Sequence, residues 1–161
     1  MYIQKAKIED LDKIMGIYRI AQDYMIESGN PNQWGHTYPS EDLVKGDIEN
    51  EVCYLIFDDD SFHGVFALFD GIEPTYEYIE NGKWLNDDGY VTVHRIASDG
   101  KVHGIFNCAI RSCKSKYENI RIDTHKDNFV MQKALQKLGF KPCGTVNLEN
   151  GEERIAYQVM K

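Results

Sequence analysis

Apolar and polar residues follow two different periods along the chain, and these periods predict helices and strands in a definite order. Tyr2–Ala6 predicts a first strand. A helical period then begins, and its apolar positions are Leu11, Ile14, Met15, Tyr18, Ala21 and Met25. The Gly29–Asn32 segment breaks this pattern, and Ser40 is placed to cap a second, shorter helix that ends near Asn50.

The middle of the chain predicts a hairpin followed by a long connection. Two apolar runs, Val52–Phe57 and Gly64–Phe69, flank the polar turn Asp58–Ser61. Residues 70–89 are polar, aromatic and acidic, and a connection of that length in a compact domain is usually functional or mobile. We therefore expect a functional or mobile segment at this point.

The second half of the chain alternates between strands and helices. The pattern predicts a strand at Tyr90–Ala97, a helix at Ile105–Lys116, a strand at Ile120–Thr124, a helix capped by Asp127 and ended by Gly139, and strands at Gly144–Leu148 and Glu153–Val159 around an Asn-Gly turn. Strands followed directly by helices imply parallel neighbours, whereas hairpins imply antiparallel ones. The order β-α-α-β-β-β-α-β-α-β-β therefore predicts an α/β fold, a central mixed sheet with helices on both faces.

The composition is that of an acidic globular protein. Of 161 residues, 42% are apolar and 27% are charged, and the net charge is −8, so we expect one domain over residues 1–161. An acidic surface repels polyphosphate chains, so we expect no nucleic-acid partner, although a local basic pocket for one phosphorylated cofactor is still allowed. No stretch approaches the roughly 18 apolar residues of a membrane span, and the N-terminus lacks the apolar core of a signal peptide. We therefore expect a cytoplasmic protein with no membrane partner.

The four cysteines, Cys53, Cys108, Cys113 and Cys143, show neither CxxC spacing nor the pattern of a zinc site. We interpret them as free thiols that fill small apolar spaces in a reducing compartment. A disulfide framework or a structural zinc ion is therefore not expected.

The stretch His94–Ile105 carries the clearest candidate chemistry. It reads as the end of a strand, a turn that contains Gly100 and Gly104, and the start of a helix. Such a turn leaves backbone N–H groups unpaired at the positive end of the helix dipole, which suits a phosphate, and Lys101 and His103 add positive charge. An ordinary strand-to-helix turn that needs glycine for a positive φ angle explains the same residues. By spacing alone, both interpretations stay open.

A second candidate stretch, Ile120–Asn128, leads into a helix that ends in Gly-Phe. Asp123, His125 and Asp127 are residue types that bind metals, but no further cluster completes a coordination set. A strand end followed by a capped helix explains these residues, so we expect no metal site.

Together the two stretches resemble the GNAT superfamily of N-acetyltransferases, and the order of elements matches that family over nearly the whole chain. Lys101–Phe106 stands where the family carries its pyrophosphate loop, Arg/Gln-x-x-Gly-x-Gly/Ala. Ile120–Thr124, Asn128 and Gly139-Phe140 match its later pattern of strand, Asn, helix and Gly-Phe. The first half of the chain resembles a bacterial branch of the family.

The resemblance implies an enzyme that passes the acetyl group of acetyl-CoA to an amine of a small molecule or peptide by direct attack in a ternary complex. It implies cofactor contacts at Ile96, Ala97, Ser98, Lys101, Val102, His103, Gly104, Ile105, Phe106 and Asn128, with an oxyanion donor near Ile96. Acid–base candidates are His94, Glu73 and Tyr76, and substrate-binding candidates are Trp34 and Glu77. The alternative for the aromatic residues and His94 is packing, and for the glutamates it is surface solvation.

Two departures from the family pattern bear on activity. Lys101 and Phe106 replace the usual Arg/Gln and small residue of the loop. Leu135 stands where many members carry the tyrosine that protonates the leaving thiolate, so another tyrosine, Tyr76 first, or water must take that role. The alternatives to an active enzyme are a CoA-binding module without catalysis and a nucleotide-binding regulatory domain. The protein could also form a homodimer, and the sequence leaves its oligomeric state open.

Overall fold

The computed structural model describes all 161 residues, Met1–Lys161, and its elements follow the predicted order. The strands are β1 (Tyr2–Lys5), β2 (Cys53–Asp58), β3 (Ser61–Asp70), β4 (Val91–Ser98), β5 (Asn119–Thr124), β6 (Lys141–Asn147) and β7 (Glu153–Met160). The helices are α1 (Leu11–Glu27), α2 (Glu41–Glu49), α3 (Ile105–Lys116) and α4 (Phe129–Lys137). The predicted α/β class is confirmed.

The seven strands form one mixed sheet in the order β1-β2-β3-β4-β5-β7-β6. β1 and β2, β2 and β3, β5 and β7, and β6 and β7 pair antiparallel. β4 and β5 pair parallel, with Val91 opposite Ile120 and Thr92 opposite Arg121. The parallel pair follows from α3, because a helical crossover between two strands returns the chain in the same direction.

The chain divides into two compact units. Unit 1 contains Met1–Leu68 and His94–Ser112, and unit 2 contains Phe69–Val93 and Cys113–Lys161. β3 and β4 each contribute residues to both units. The expectation of one domain over residues 1–161 stays a prediction.

The core of unit 1 is built from the apolar face of α1 together with residues of α2, β2 and β3. Ile14, Val44 and Val65 are fully buried. The predicted cap of α2 is confirmed, since the Ser40 hydroxyl accepts a hydrogen bond from the N–H of Leu43 at 3.1 Å. Capping by a serine side chain typically contributes about 1 kcal/mol to helix stability. The short α2 is therefore fixed both by its cap and by its buried face.

Gly64 of β3 allows the first turn of α3 to approach the sheet closely. A Cβ atom at this position would lie 2.4 Å from Cγ2 of Ile105 and 3.3 Å from the carbonyl oxygen of Ala97. No side chain fits into that space without a shift of its neighbours. The glycine therefore determines where the N-terminus of α3 lies relative to β3.

The long connection at residues 70–89 is an ordered part of unit 2. The indole N–H of Trp84 donates to the carbonyl oxygen of Tyr76 at 2.9 Å. The guanidinium carbon of Arg121 lies 4.1 Å from the ring centroid of Trp84 and 3.9 Å from that of Tyr90, and burial lowers the pKa of this arginine. The Asn86 amide donates to Asn119 Oδ1 at 2.9 Å. These contacts hold the connection against β5.

The start of α4 differs by one residue from the prediction. Asn128, rather than Asp127, is the N-cap, and its Oδ1 accepts the N–H of Met131 at 3.0 Å. The N–H of Asp127 instead donates to Nδ1 of His125 at 3.0 Å, so this residue belongs to the turn after β5. Asp and Asn cap helices about equally well, so composition alone does not choose between them. The predicted end of α4 is confirmed, with Gly139 at a φ angle of +85°.

The four cysteines are free in the structure, as predicted. Burial raises the pKa of the Cys53 thiol to about 12 and that of the Cys113 thiol to about 11. Both side chains therefore stay neutral at physiological pH and act as small apolar residues of the core.

Candidate active site

The turn between β4 and α3 contains two glycines with an unusual backbone conformation. Gly100 and Gly104 have φ angles of +74° and +87°, values that residues with a side chain rarely adopt. Two side-chain contacts close the first part of the turn. The N–H of Gly100 donates to the Ser98 hydroxyl at 3.1 Å, and the N–H of Lys101 donates to Oδ1 of Asp99 at 3.0 Å. The turn is therefore shaped by its own side chains as well as by its glycines.

Asp99 also ties the turn to β3. Its Oδ2 lies 2.8 Å from Nδ1 of His63, and its N–H donates to the carbonyl oxygen of His63 at 3.0 Å. The side chains are 7% and 18% exposed for Asp99 and His63, respectively. Because three separate hydrogen bonds converge on one buried aspartate, the start of the turn has little freedom to move. No local pattern indicates this pair, since the two residues are 36 positions apart in the sequence.

The second part of the turn presents a row of unpaired backbone N–H groups. The N–H groups of Val102–Asn107 donate to no acceptor in the chain. They lie at the start of α3, where the helix dipole contributes positive potential. Lys101, His103 and Gly104 are exposed at the same place. This arrangement can bind a diphosphate through backbone hydrogen bonds, with two cationic or proton-donating side chains beside it.

Arg95 in the middle of β4 has a φ angle of +52°, in the left-handed region. Its Nε and Nη2 donate to Oδ2 and Oδ1 of Asp47, each at 2.8 Å, and its Nη1 donates to the Tyr38 hydroxyl at 3.2 Å. The Tyr18 hydroxyl donates to the carbonyl oxygen of Arg95 at 2.8 Å. Burial lowers the pKa of the guanidinium, but the hydrogen bonds to Asp47 and Tyr38 outweigh this and leave the pKa above its ordinary value. The arginine is therefore always charged.

The predicted cofactor-binding residues of β4 lie directly beside Arg95. His94, Ile96 and Ser98 are half-buried, and Ala97 is buried. In a regular strand His94 and Ile96 would point to the same face, but a residue with a positive φ angle interrupts that alternation. The direction of His94 therefore does not follow from the sequence pattern.

Trp34 is a core residue of unit 1. It is 8% exposed, and its ring packs against Tyr18 at a centroid distance of 5.8 Å and against Tyr38 at 6.1 Å. Both neighbours also bond to Arg95. Trp34 thus packs against the two tyrosines that contact Arg95 of β4. Its role in substrate binding stays a prediction.

Tyr76 is buried in unit 2, with 1% of its surface exposed. Its hydroxyl donates to Oδ2 of Asp123 at 2.6 Å. Burial, followed by the charge of Asp123 and this hydrogen bond, raises the pKa of Tyr76 well above its ordinary value. The hydroxyl therefore keeps its proton at neutral pH and directs it to Asp123.

The two candidate glutamates lie in the same segment as Tyr76. The Glu73 carboxylate accepts the N–H of Thr75 at 3.3 Å and its hydroxyl at 3.1 Å, and the Glu73 N–H donates to the hydroxyl of Tyr90 at 2.9 Å. Glu77 is exposed. Glu73 thus caps a short turn of 3₁₀ helix, and Glu77 is accessible to solvent and to a cationic partner.

Asn128 and Leu135, which the family pattern singles out, both belong to the α4 region. Asn128 is 7% exposed, and its carboxamide oxygen caps the helix. Leu135 is fully buried and packs as a core residue. Leu135 therefore offers no proton donor, as expected from its side chain.

No group of three or more histidine, cysteine, aspartate and glutamate side chains is arranged to hold a metal ion. In the trio Asp123, His125 and Asp127, the histidine uses Nδ1 to accept a backbone N–H. Burial, with the Arg154 charge adding to it, lowers the pKa of His125. None of the helices combines the length and the apolar character that a bilayer crossing requires.

Comparison with known proteins finds relatives among solved structures. No family model matches the chain, and no curated protein matches it. An acetyltransferase of the GNAT family from Streptococcus agalactiae superposes with a TM-score of 0.90 at 32% identity, over 99% of this chain and 95% of that one.

More distant structures share the fold. An acetyltransferase of the GNAT family from Bacillus cereus has a TM-score of 0.62 at 21% identity, over 99% of this chain and 96% of that one. The ribosomal-protein-alanine N-acetyltransferase from Brucella melitensis has a TM-score of 0.61 at 16% identity, over 100% of both chains. At these identities the similarity shows the fold alone.

Proposed function

Because the chain belongs to the GNAT family of acetyltransferases and is an acyltransferase, we propose that it transfers the acetyl group of acetyl-CoA to the amine of a small molecule in the cytoplasm. The observation that carries this proposal is the row of unpaired N–H groups at the start of α3. The amine of a peptide is the other group that could accept the acetyl group by the same reaction. We propose neither a nucleic-acid partner nor a membrane partner.

The residues at the start of α3 fit the diphosphate of acetyl-CoA. The N–H groups of Val102–Phe106 are unpaired. Gly104 itself has no side chain, and the Met1 side chain borders this position, with its Cε 3.3 Å from where a Cβ atom of residue 104 would lie. Lys101 and His103 are exposed at the edge of the row. In a protein with a net charge of −8, these residues provide a local site for an anion. When bound, acetyl-CoA supplies an acetyl group activated as a thioester.

The backbone of β4 is our candidate for positioning the acetyl group. We assign contacts with the pantetheine arm to Ile96, Ala97 and Ser98, and a further contact to the Asn128 side chain. The N–H of Ile96 is the candidate donor to the negative charge that develops on the carbonyl oxygen. Such a donor typically contributes about 2.7–4 kcal/mol to catalysis.

The acceptor amine must lose a proton before it attacks, and His94 is our candidate base. It is half-buried and lies two residues before Ile96. A histidine needs little adjustment of its pKa to act as a base at neutral pH. Glu73 and Glu77 are the other carboxylates proposed to accept the proton or to attract a cationic amine, and Trp34 is proposed to support the acceptor site. The role of Tyr76 as proton donor to the leaving thiolate stays a prediction.

Replacing Asp99 with alanine is expected to weaken CoA binding by about tenfold. The change removes the carboxylate that accepts the N–H of Lys101 and bonds to His63, at about 0.5–1.5 kcal/mol for each lost hydrogen bond. The unpaired N–H groups would then have to be ordered by the ligand itself. Calorimetric titration of CoA into both proteins measures the effect.

The matched control for this prediction is Asp60→Ala. Asp60 is an exposed aspartate in the turn between β2 and β3, so its removal changes the net charge equally. We expect the control to bind CoA like the wild type. Equal affinity of all three proteins would show that the Asp99 anchor does not organise the site.

Turnover of acetyl-CoA with a panel of amines tests the proposed function. The panel should contain polyamines, amino sugars, amino acids and short peptides, and release of the CoA thiol and the mass of the acceptor should both be followed. We expect one amine class to accelerate thiol release and to gain one acetyl group. Tight CoA binding without amine-dependent turnover would instead identify a CoA-binding module without catalysis.

A further inference from the structure

Arg95 adopts a backbone conformation that a β-strand does not require. Its φ angle of +52° lies in the left-handed region, which is uncommon for residues other than glycine, asparagine and aspartate. Such conformations persist only where the surrounding structure holds them. The contacts of Arg95 therefore identify the groups that hold its backbone in this conformation.

Two helices hold Arg95, one at its backbone carbonyl and the other at its side chain. The Tyr18 hydroxyl of α1 donates to the carbonyl oxygen of Arg95, and the Asp47 carboxylate of α2 accepts two hydrogen bonds from the guanidinium, all at 2.8 Å. Tyr18 is 1% exposed and Asp47 is 5% exposed. The backbone and the side chain of the arginine are thus fixed by separate, buried groups.

This arrangement sets the orientation of the next peptide unit. A residue with a positive φ angle turns the chain, so the peptide between Arg95 and Ile96 faces a different direction from that in a regular strand. The N–H of this peptide belongs to Ile96, the candidate donor to the carbonyl oxygen in the proposed function. A small change in such a donor's direction weakens a hydrogen bond steeply.

We propose that Tyr18 and Asp47 are positioning residues of the acyl-transfer site, which hold Arg95 in its left-handed conformation and thereby aim the N–H of Ile96. The proposal rests on the proposed function, because it uses the acetyl carbonyl as the target of that N–H. Neither Tyr18 nor Asp47 is expected to contact the reacting atoms. Both act through the backbone of Arg95.

A purely structural role for the same contacts predicts different behaviour. If Asp47 and Tyr18 only stabilise unit 1, their removal lowers stability and leaves kcat unchanged in the folded protein. If they hold a backbone conformation, a residue that adopts positive φ angles freely should restore part of the lost activity. Glycine is such a residue, and alanine is not.

The test compares two double variants, Asp47→Asn/Arg95→Ala and Asp47→Asn/Arg95→Gly. Both remove the guanidinium clamp, and Asp47→Asn prevents an unpaired buried carboxylate in either one. We expect kcat to fall about tenfold or more in the alanine variant and to be at least about threefold higher in the glycine variant. CoA affinity should differ between the two by less than kcat does, because the row of N–H groups at α3 is untouched and only the pantetheine contacts next to Arg95 change.

Tyr18→Phe is the second arm, since it removes only the hydroxyl that holds the Arg95 carbonyl. We expect kcat to fall about fivefold to tenfold, with a smaller change in the KM for acetyl-CoA. The amide resonance of Ile96, measured by NMR without any ligand, is the readout that does not need activity. It should stay near its wild-type position in the glycine variant and move in the alanine variant.

Equal kcat values in the alanine, glycine and Tyr18→Phe variants and the wild type would overturn the proposal, as would an Ile96 resonance that moves equally in both double variants. Failure of the proposed function would give a different result, because the wild-type protein itself would then acetylate no amine. The Ile96 resonance would still decide whether Tyr18 and Asp47 hold the backbone.

Discussion

Replacing Asp47 with alanine is expected to lower the free energy of unfolding by about 3–5 kcal/mol. The side chains of Asp47 and Arg95 are only 7% and 9% exposed, and two hydrogen bonds of 2.8 Å join them. The substitution removes the Asp47 carboxylate but leaves the Arg95 guanidinium in its buried position. Water does not fully replace the hydrogen bonds that the carboxylate accepted there. Tyr38 still accepts one hydrogen bond, but a neutral hydroxyl does not balance the charge. The loss therefore reflects an uncompensated buried cation.

Urea unfolding followed by circular dichroism measures this effect. For a chain of this length the expected loss corresponds to a decrease in melting temperature of roughly 6–20 °C. Glu49→Ala is the matched control, because Glu49 is an exposed carboxylate on the same helix and its loss should change stability by less than about 0.5 kcal/mol. Asp47→Ala combined with Arg95→Met should recover most of the loss, since it removes both charges. A decrease in the free energy of unfolding of less than about 1 kcal/mol in Asp47→Ala would contradict an ion pair that is shielded from water.

Replacing Gly104 with aspartate is expected to weaken CoA binding by about 100-fold or more. Two like charges about 4 Å apart repel by about 4 kcal/mol near a protein surface, which corresponds to several hundredfold in affinity. The carboxylate would lie at the row of N–H groups that the proposed function assigns to the diphosphate. The φ angle of +87° adds strain, at roughly 1–2 kcal/mol for a residue with a side chain, so some loss of stability accompanies the loss of binding.

Gly151→Asp is the matched control for that strain. Gly151 lies in the hairpin between β6 and β7, has a φ angle of +85°, and has open space where a Cβ atom would be added. The substitution therefore adds the same charge and nearly the same backbone strain without touching the start of α3. We expect Gly151→Asp to bind CoA like the wild type in a calorimetric titration. Similar losses of affinity in both variants would show that strain or net charge, rather than the site, causes the effect.

Local sequence signals predicted much of the fold. The order of the four α-helices and seven β-strands followed from periodicity and from turn residues, because each signal lies within a few residues of the element that it marks. Gly139 at the end of α4 and the Asn-Gly turn before β7 are two examples. The parallel pairing of β4 and β5 followed from the intervening helix.

The long-range contacts at the candidate site did not follow from the sequence. The conformation of Arg95 depends on Tyr18 and Asp47, which are 77 and 48 positions away. Asp47 looks like any polar residue on a short helix until its guanidinium partner is known. The same holds for Tyr76, whose partner Asp123 is 47 positions away. Such partners are set by the packing of elements, which no local pattern encodes.

We propose that the N–H groups at the start of α3 bind the diphosphate of CoA, and NMR titration of CoA into the ¹⁵N-labelled protein tests this most directly. We predict that the amides of Val102–Phe106 show the largest chemical-shift changes, while the amide of Gly151 stays unchanged. In the Gly104→Asp variant these changes should be lost at the same CoA concentrations. CoA binding that leaves the amides of Val102–Phe106 unperturbed, or no binding at millimolar CoA, would contradict the account.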